Sequence, residues 1–176
     1  PKACTLLLLQ SELPEAANLD LARRAHATGI RTILNAAPAR PVSAELLALT
    51  DLLVVNRGEA ADLLAYREAD LDPVKAAPVL LAQGPGAVIV TRGKHGLVLA
   101  SGDEVHRQPA RKVATVSAHG AGDAFIGALA AEWARGATLT DAAAFGQAAA
   151  SLHVSLPVED RSRIDRAAIA AMLVKG

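Results

Sequence analysis

Short runs of hydrophobic residues alternate along the chain with longer amphipathic stretches. The short runs, rich in Leu, Val and Ile, predict buried β-strands at residues 5–10, 30–35, 52–55 and 87–91. The longer stretches predict helices at residues 14–28, 43–49, 59–65 and 73–83. Ser43 is the expected N-cap of the second helix, and Pro78 is expected to disturb the fourth because it lacks an N–H group. This alternation is typical of βαβ units and a parallel sheet.

The pattern changes after residue 95. Residues 96–101 and 105–108 flank a Gly-Asp-Glu turn, which predicts a β-hairpin at the edge of the parallel sheet. A strand-like run at residues 111–116 follows, and helices then close the chain. Apolar residues recur at helical spacing from Ile126 to Trp133, and further helices are predicted over residues 138–154 and 165–175. We therefore expect one α/β domain over residues 1–176.

Composition narrows the class of protein. The chain has 176 residues, 52% of them hydrophobic, which is enough for one substantial core. Lys plus Arg and Asp plus Glu number 18 each, and aromatic residues make up only 2%. Neither a basic field nor stacking platforms for bases are present, so we expect no nucleic-acid or membrane partner. One cysteine, Cys4, and the lack of a leader or long apolar run favour a cytoplasmic location.

A glycine-rich segment at residues 117–125 lies where the strand-like run gives way to a helix. Gly120 and Gly122 permit a tight turn and close approach to a ligand. The opening turn of the helix adds unpaired N–H groups and the positive end of its dipole, so the junction can hold an anion. Asp123 either satisfies the helix N-terminus or points at a substrate hydroxyl beside a bound phosphate, and spacing alone leaves both interpretations open.

Four segments, in order, carry a family resemblance. Gly120-Ala121-Gly122-Asp123-Ala124-Phe125 resembles the signature of the ribokinase-like carbohydrate kinases, and residues 35–40, 56–59 and 91–96 resemble further segments of that family. The resemblance implies a three-layer Rossmann-like parallel sheet flanked by helices, with an edge hairpin. It also implies ATP and Mg²⁺ as cofactors. Only the nucleotide-binding half of a typical family member is covered, so we expect the N-terminal part and its lid to be absent.

The resemblance also assigns roles to individual residues. It implies that Asp123 is the catalytic base. It places the anion hole at Gly120, Ala121 and Gly122. Nucleotide-binding positions are implied at Asn56, Thr91, Gly93, Gly96 and Gln147. Sugar contacts are implied for Glu12 and Asp123, and Glu59 would belong to the magnesium shell through water.

Each of these positions outside the glycine segment also has a purely structural interpretation. Asn56 and Glu59 are spaced as an N-cap and its partner at the third helical position. Residues 91–96 are typical of a glycine turn, and Glu12 is placed to interact with the dipole of the next helix. Gln147 is a lone polar residue on an alanine-rich helix, where exposure alone would explain it.

Two departures concern a monovalent cation. Family members often begin the glycine segment with Asp-Thr-Thr, and ribokinases use that acid to help bind a monovalent cation. This chain has Ser117, Ala118 and His119 instead. The loop at residues 155–160 also lacks the glycine expected near the nucleotide. We therefore expect weak potassium dependence or none.

The expected function is ATP-dependent phosphorylation of a sugar primary hydroxyl, with ribose converted to ribose 5-phosphate, as part of a longer chain. The residues at 35–40 and Glu12 favour ribose modestly. Because most of the acceptor pocket is missing, the isolated fragment is expected to be inactive. The alternative is a non-catalytic nucleotide-binding or structural remnant without a sugar site. The absent lid is where the resemblance would place a homodimer contact.

Overall fold

Six β-strands form one mixed sheet in the computed structural model, which describes residues 4–174. Their spatial order follows the chain: β1 (Leu6–Gln10), β2 (Arg31–Asn35), β3 (Leu52–Asn56), β4 (Ala87–Thr91), β5 (Leu97–Ser101) and β6 (Glu104–Gln108). Strands β1 to β4 are parallel, whereas β5 and β6 form an antiparallel hairpin beside β4. The predicted parallel sheet with an edge hairpin is confirmed, and each end of these six strands lies within one residue of its predicted position.

The chain divides into two units. The first comprises residues 4–93 and 97–108 of the described range and carries the sheet with α1 (Glu15–Ala27), α2 (Ala44–Ala48), α3 (Arg57–Leu63), α4 (Pro73–Leu81) and a 3₁₀ turn at Glu68–Asp70. The second comprises residues 94–96 and 109–174 and carries α5 (Ala121–Ala134), α6 (Leu139–Ser155), the 3₁₀ helix Val158–Arg163 and α7 (Arg166–Val174). The predicted last helix is confirmed as far as Val174, and Lys175 lies outside the described residues. No helix within residues 4–174 is long and apolar enough to span a membrane.

The core of the first unit lies between one face of the sheet and its helices. Alternate residues of a strand point to the same face, and the strand residues in this cluster follow that rule, including Leu53, Val55, Val88 and Val90. The helices contribute buried small or branched residues: Ala22, Leu46, Leu47, Ala60, Ala61, Ala76, Ala77 and Leu80. Alanine at five of these eight helical positions lets the helices approach the sheet closely, which is how a chain with 2% aromatic residues fills its core.

Helix α4 continues past Pro78, contrary to the predicted disturbance. Pro73 occupies the first helical turn, where a missing N–H costs nothing, and Asp72 caps the helix by accepting from the N–H of Val74. Pro78 removes one hydrogen bond near the end of a helix that stops at Leu81, and its ring is exposed. The helix tolerates that loss.

The strand predicted at residues 111–116 is wrong, because the described structure has no strand there. The segment instead runs along helix ends. The N–H of Val116 donates to the carbonyl of Val154 at 2.8 Å, and the Arg111 guanidinium donates to the carbonyls of Met172 and Leu173 near the end of α7. Helix C-termini offer unpaired carbonyls, and these satisfy the segment in place of a neighbouring strand.

The second unit is built on the contact between α5 and α6. Its buried cluster consists of Phe145, Ala148, Ala149 and Ile169. Gly146 lies at a close contact between the two helices, because a Cβ atom there would be 2.8 Å from the carbonyl oxygen of Phe125 and 3.0 Å from its ring. Glycine at this position therefore sets the spacing of the two helices.

We predict opposite effects of two glycine-to-alanine substitutions in this unit. Gly146→Ala forces the helices apart and should lower the free energy of unfolding by about 1–3 kcal/mol. Gly127→Ala is the matched control, because Gly127 lies in α5 with nothing within 4 Å of an added Cβ. It should raise stability by about 0.5–1 kcal/mol through a smaller backbone entropy loss. Urea unfolding midpoints measure both, and a stabilising Gly146→Ala would contradict the close contact.

Candidate active site

The glycine turn before α5 leaves N–H groups open. Gly120 is the N-cap of α5 with φ +77°, and a Cβ atom there would lie 2.9 Å from Nε2 of His153. The left-handed backbone conformation therefore favours glycine, and any Cβ atom would also have to displace the His153 ring. The N–H of Ala121 donates to the Ala118 carbonyl at 3.2 Å, whereas those of Gly122 and Asp123 have no partner within residues 4–174. Two N–H groups at the positive end of a 14-residue helix remain available to an anion.

Asp123 is exposed and does not cap the helix. It occupies the third helical position, and the N-cap residue is a glycine with no side chain to complete a capping box. Its carboxylate makes no hydrogen bond or ion pair with any residue in the described range. Its charge in the first turn still favours the positive end of the helix dipole, so both interpretations of Asp123 stay predictions. The carboxylate lies beside the two free N–H groups.

Two side chains that sequence reasoning missed contact the segment before the turn. His153 Nε2 lies 3.0 Å from the carbonyl oxygen of His119. The guanidinium of Arg161 donates to the carbonyls of Ser117 and His119, both at 3.2 Å. Both side chains lie more than 30 positions further along the chain, so no local pattern indicated either contact.

In the first unit, Asn56 and Glu59 form a complete capping box at the start of α3. Asn56 Oδ1 accepts from the N–H of Glu59 at 2.9 Å, and Glu59 Oε2 accepts from the N–H of Asn56 at 2.7 Å. The structural interpretation of this pair is confirmed. Burial raises the pKa of Glu59; the Asn56 hydrogen bond works against that rise and the charge of Asp62 adds to it.

Thr91 lies directly beside Asn56 in the sheet, at the carboxyl ends of β4 and β3. Its hydroxyl donates to the carbonyl of Val55 at 3.4 Å. The turn that follows β4 has positive φ at Gly93 (+54°) and Gly96 (+86°), which confirms the glycine-turn interpretation. The sheet thus brings Asn56, Glu59 and Thr91 together where open α/β sheets bind ligands.

Glu12 lies in the exposed turn after β1. Its carboxylate has no hydrogen bond or ion pair with residues 4–174. Ser11 donates its N–H to the carbonyl of Ala37 at 3.1 Å, so this turn adjoins the segment at residues 35–40. The acidic residue in the first turn of α1 is Glu15, whose carboxylate accepts from the N–H of Ser43 at 2.7 Å. Hydrogen bonds from Ser43 lower the pKa of Glu15.

The predicted site residues are divided between the units. The first unit carries Glu12, Asn56, Glu59, Thr91 and Gly93, and the second carries Gly96, Gly120, Ala121, Gly122, Asp123 and Gln147. Gln147 lies half-buried on α6. Its assignment to the nucleotide, like those of the other residues to ligands, stays a prediction.

Comparison with known proteins identifies the family. Residues 2–158 match the pfkB family of carbohydrate kinases. The chain belongs to this family. It is 35% identical to the ribokinase of Staphylococcus aureus over 150 residues, which cover 84% of this chain and 49% of that relative. As a pfkB-family chain it spans about half the length of the curated relatives it matches.

Solved structures agree with this assignment. Thermotoga maritima ribokinase matches with a TM-score of 0.83 and 32% identity, covering 96% of this chain and 56% of that one. Arabidopsis thaliana ribokinase, complexed with ribose and ATP, matches with a TM-score of 0.87 and 29% identity, covering 96% and 55%. The predicted ribokinase-like α/β fold is confirmed.

We predict that Glu59→Gln removes a pH-dependent loss of stability. Because the folded-state pKa of Glu59 is raised, the folded protein keeps a proton that the unfolded chain releases, and wild-type stability falls as pH rises through that window. Glutamine keeps an oxygen for the N–H of Asn56 but carries no charge. The melting temperature of the variant relative to wild type should therefore rise from about pH 4 to about pH 7.

The matched variant Glu59→Ala separates charge from capping. It removes both, so relative to Glu59→Gln it should lose roughly 0.5–1.5 kcal/mol through the missing hydrogen bond at every pH, while its deficit relative to wild type should shrink as pH rises. Parallel pH profiles for wild type and Glu59→Gln would show that burial does not penalise this carboxylate.

Proposed function

We propose that this chain is the nucleotide-binding part, over residues 1–176, of an ATP-dependent sugar kinase that phosphorylates a primary hydroxyl, with ribose as the acceptor. The observation that carries the proposal is the open carboxylate of Asp123 beside the free N–H groups of Gly122 and Asp123, behind a left-handed Gly120. A base and an anion site at adjacent positions are the two groups that phosphoryl transfer to an alcohol requires. The family assignment supports the same chemistry.

In the proposed mechanism Asp123 accepts the proton of the sugar hydroxyl as its oxygen attacks the terminal phosphorus of ATP. The bond from that phosphorus to the bridging oxygen breaks, and ADP leaves with the electron pair. The N–H groups of Gly122 and Asp123 donate to the oxygens of the transferring phosphoryl group, where negative charge is spread. The Ala121 N–H, bonded to Ala118, contributes by fixing the turn.

The proposed nucleotide residues are Asn56, Thr91, Gly93, Gly96 and Gln147. For magnesium, the donor set fits an ion that keeps most of its water: the described residues contain no group of three or more His, Cys, Asp or Glu that would form a protein cage. Glu59 offers a half-buried carboxylate with one oxygen committed to the Asn56 N–H, which suits contact through water. Bound there, magnesium would neutralise phosphate charge.

Two observations support ribose as the proposed acceptor: the identity of the relatives and the state of Glu12. The relatives named above are ribokinases, and one solved neighbour holds ribose and ATP. Glu12 is exposed and unpaired among the described residues, on a turn attached to the segment at residues 35–40. A carboxylate in this state can accept hydrogen bonds from vicinal hydroxyls without first breaking another contact. Comparing phosphorylation of D-ribose and 2-deoxyribose by the full-length protein tests this choice.

We predict that Asp123→Asn in the full-length protein lowers kcat about 10²–10⁴-fold, because a general base is lost. Nucleotide affinity should change little, since Asn is nearly isosteric. Steady-state kinetics and isothermal titration with Mg-ATP measure the two quantities. Near-normal kcat would remove Asp123 from the mechanism. Gly127→Ala, in the same helix, is the control for general effects on α5.

The second candidate function is a non-catalytic nucleotide-binding or structural remnant. It is favoured by how few residues are assigned to the sugar, since the acidic contacts proposed for the acceptor are Glu12 and Asp123. Phosphoryl transfer requires donor and acceptor to be held in line and away from water. Two exposed carboxylates cannot do this alone.

We therefore predict that the isolated 176-residue chain binds Mg-ATP weakly and phosphorylates no sugar. Isothermal titration and a ribose phosphorylation assay, run on the same preparation, measure both halves. Robust turnover would show that the acceptor site is complete in this chain. Absence of nucleotide binding by a folded chain would favour a structural remnant.

A further inference from the structure

In the second unit, the side chain of Arg161 hydrogen-bonds to three backbone carbonyls. The Arg161 guanidinium donates from Nη1 to His119 O at 3.2 Å, from Nη2 to Ser117 O at 3.2 Å and from Nε to Leu156 O at 3.3 Å. Two of these carbonyls belong to the segment just before the glycine turn. The third belongs to the residue that follows α6. One planar cation therefore joins the turn to the end of a helix 36 or more positions away.

Arg161 has no carboxylate partner among the described residues, which is unusual for a half-buried arginine. Its neighbour Arg163, in the same 3₁₀ helix, forms an ordinary surface pair with Asp160 at 3.0 Å. The contacts of the Arg161 guanidinium described above are with backbone carbonyls. This is the way a weakly hydrated cation is held by backbone oxygens.

The Arg161 contacts hold residues 117–119, the segment that sets the orientation of the free N–H groups at the start of α5. His119 immediately precedes Gly120, and its carbonyl accepts from both Arg161 and His153. Holding Ser117 and His119 fixes the entry into the left-handed Gly120, and so the direction of the next free N–H groups. A displacement of about 1 Å in such a group can cost on the order of 10²-fold in rate.

We propose that Arg161 is a positioning residue for phosphoryl transfer, acting as a built-in cation that holds residues 117–119 so that the N–H groups of Gly122 and Asp123 face the phosphate. The inference rests on the proposed kinase function. Because the guanidinium already occupies the carbonyls, the wild-type protein should need no added monovalent cation at this place.

The test uses the full-length protein with Arg161→Ala, Arg161→Lys and the control Arg163→Ala. Arg161→Ala should lower kcat about 10–100-fold. The KM for the sugar should stay nearly unchanged, because Arg161 contacts no residue assigned to the acceptor. The kcat of Arg161→Lys should lie between those of wild type and Arg161→Ala, since an ammonium group lacks the rigid fork with which a guanidinium spans three carbonyls. Arg163→Ala should match wild type.

Restoring the activity of Arg161→Ala with an added cation tests the role of the positive charge. Millimolar guanidinium, or replacement of sodium by potassium at constant ionic strength, should restore part of the kcat of Arg161→Ala and leave wild type and Arg163→Ala unchanged. A strong potassium response of wild type would overturn the inference. Equal losses of kcat in Arg161→Ala and Arg163→Ala would also overturn it. So would a kcat equal to wild type in both Arg161→Ala and Arg161→Lys.

Hydrogen exchange gives a readout that does not need turnover. Amides in a peptide covering residues 117–124 should exchange faster in Arg161→Ala and Arg161→Lys than in Arg163→Ala. If the wild-type protein phosphorylates no sugar, the proposed function fails while this comparison still decides whether Arg161 holds the turn. If the protein is an active kinase but amide exchange is the same in all variants, the positioning role of Arg161 is rejected while the proposed kinase function stands.

Discussion

The candidate chemistry depends on one backbone constraint, the left-handed conformation at Gly120. With φ +77° and His153 Nε2 2.9 Å from where a Cβ would be, this position strongly favours glycine. That choice has a second effect: a glycine N-cap has no side chain to accept from the first N–H groups of α5. Most helices satisfy these groups with Ser, Thr, Asp or Asn at the same position. Here the N–H groups of Gly122 and Asp123 have no partner among residues 4–174.

The N-termini of α3 and α5 both carry predicted site residues, but they differ in whether their first-turn N–H groups have hydrogen-bond partners. At α3, Asn56 and Glu59 satisfy each other and the backbone, so the first turn is closed and Glu59 is held rigidly. At α5 the first turn is open and Asp123 is unpaired within the described residues. A closed end suits a residue that orients water around an ion. An open end suits a site that must receive a charged group and release it.

The strands and the glycine segment could be predicted because their signals are local. Each strand is a run of Leu, Val and Ile bounded by turn residues, and the parallel arrangement follows from the helices between the runs. Residues 111–116 have a similar local signal but find no neighbouring strand, and the N–H of Val116 donates instead to Val154 near the end of α6. The contacts of Arg161 join residues 42 and 44 positions apart. Only the folded chain reveals such a pairing, since an arginine near a carbonyl leaves no mark in the sequence.

The open end of α5 also resolves an electrostatic conflict in the proposed reaction. Asp123 and a bound phosphate are both negative, and both are attracted to the same helix N-terminus. Their mutual repulsion would oppose binding if the carboxylate stayed charged throughout. In the proposed mechanism, proton transfer from the sugar would neutralise Asp123 while the departing ADP oxygen takes up the electron pair, so the N–H groups would then act on the phosphate alone. The same repulsion that weakens the ground state is relieved along the reaction, which lowers the barrier rather than only the binding energy.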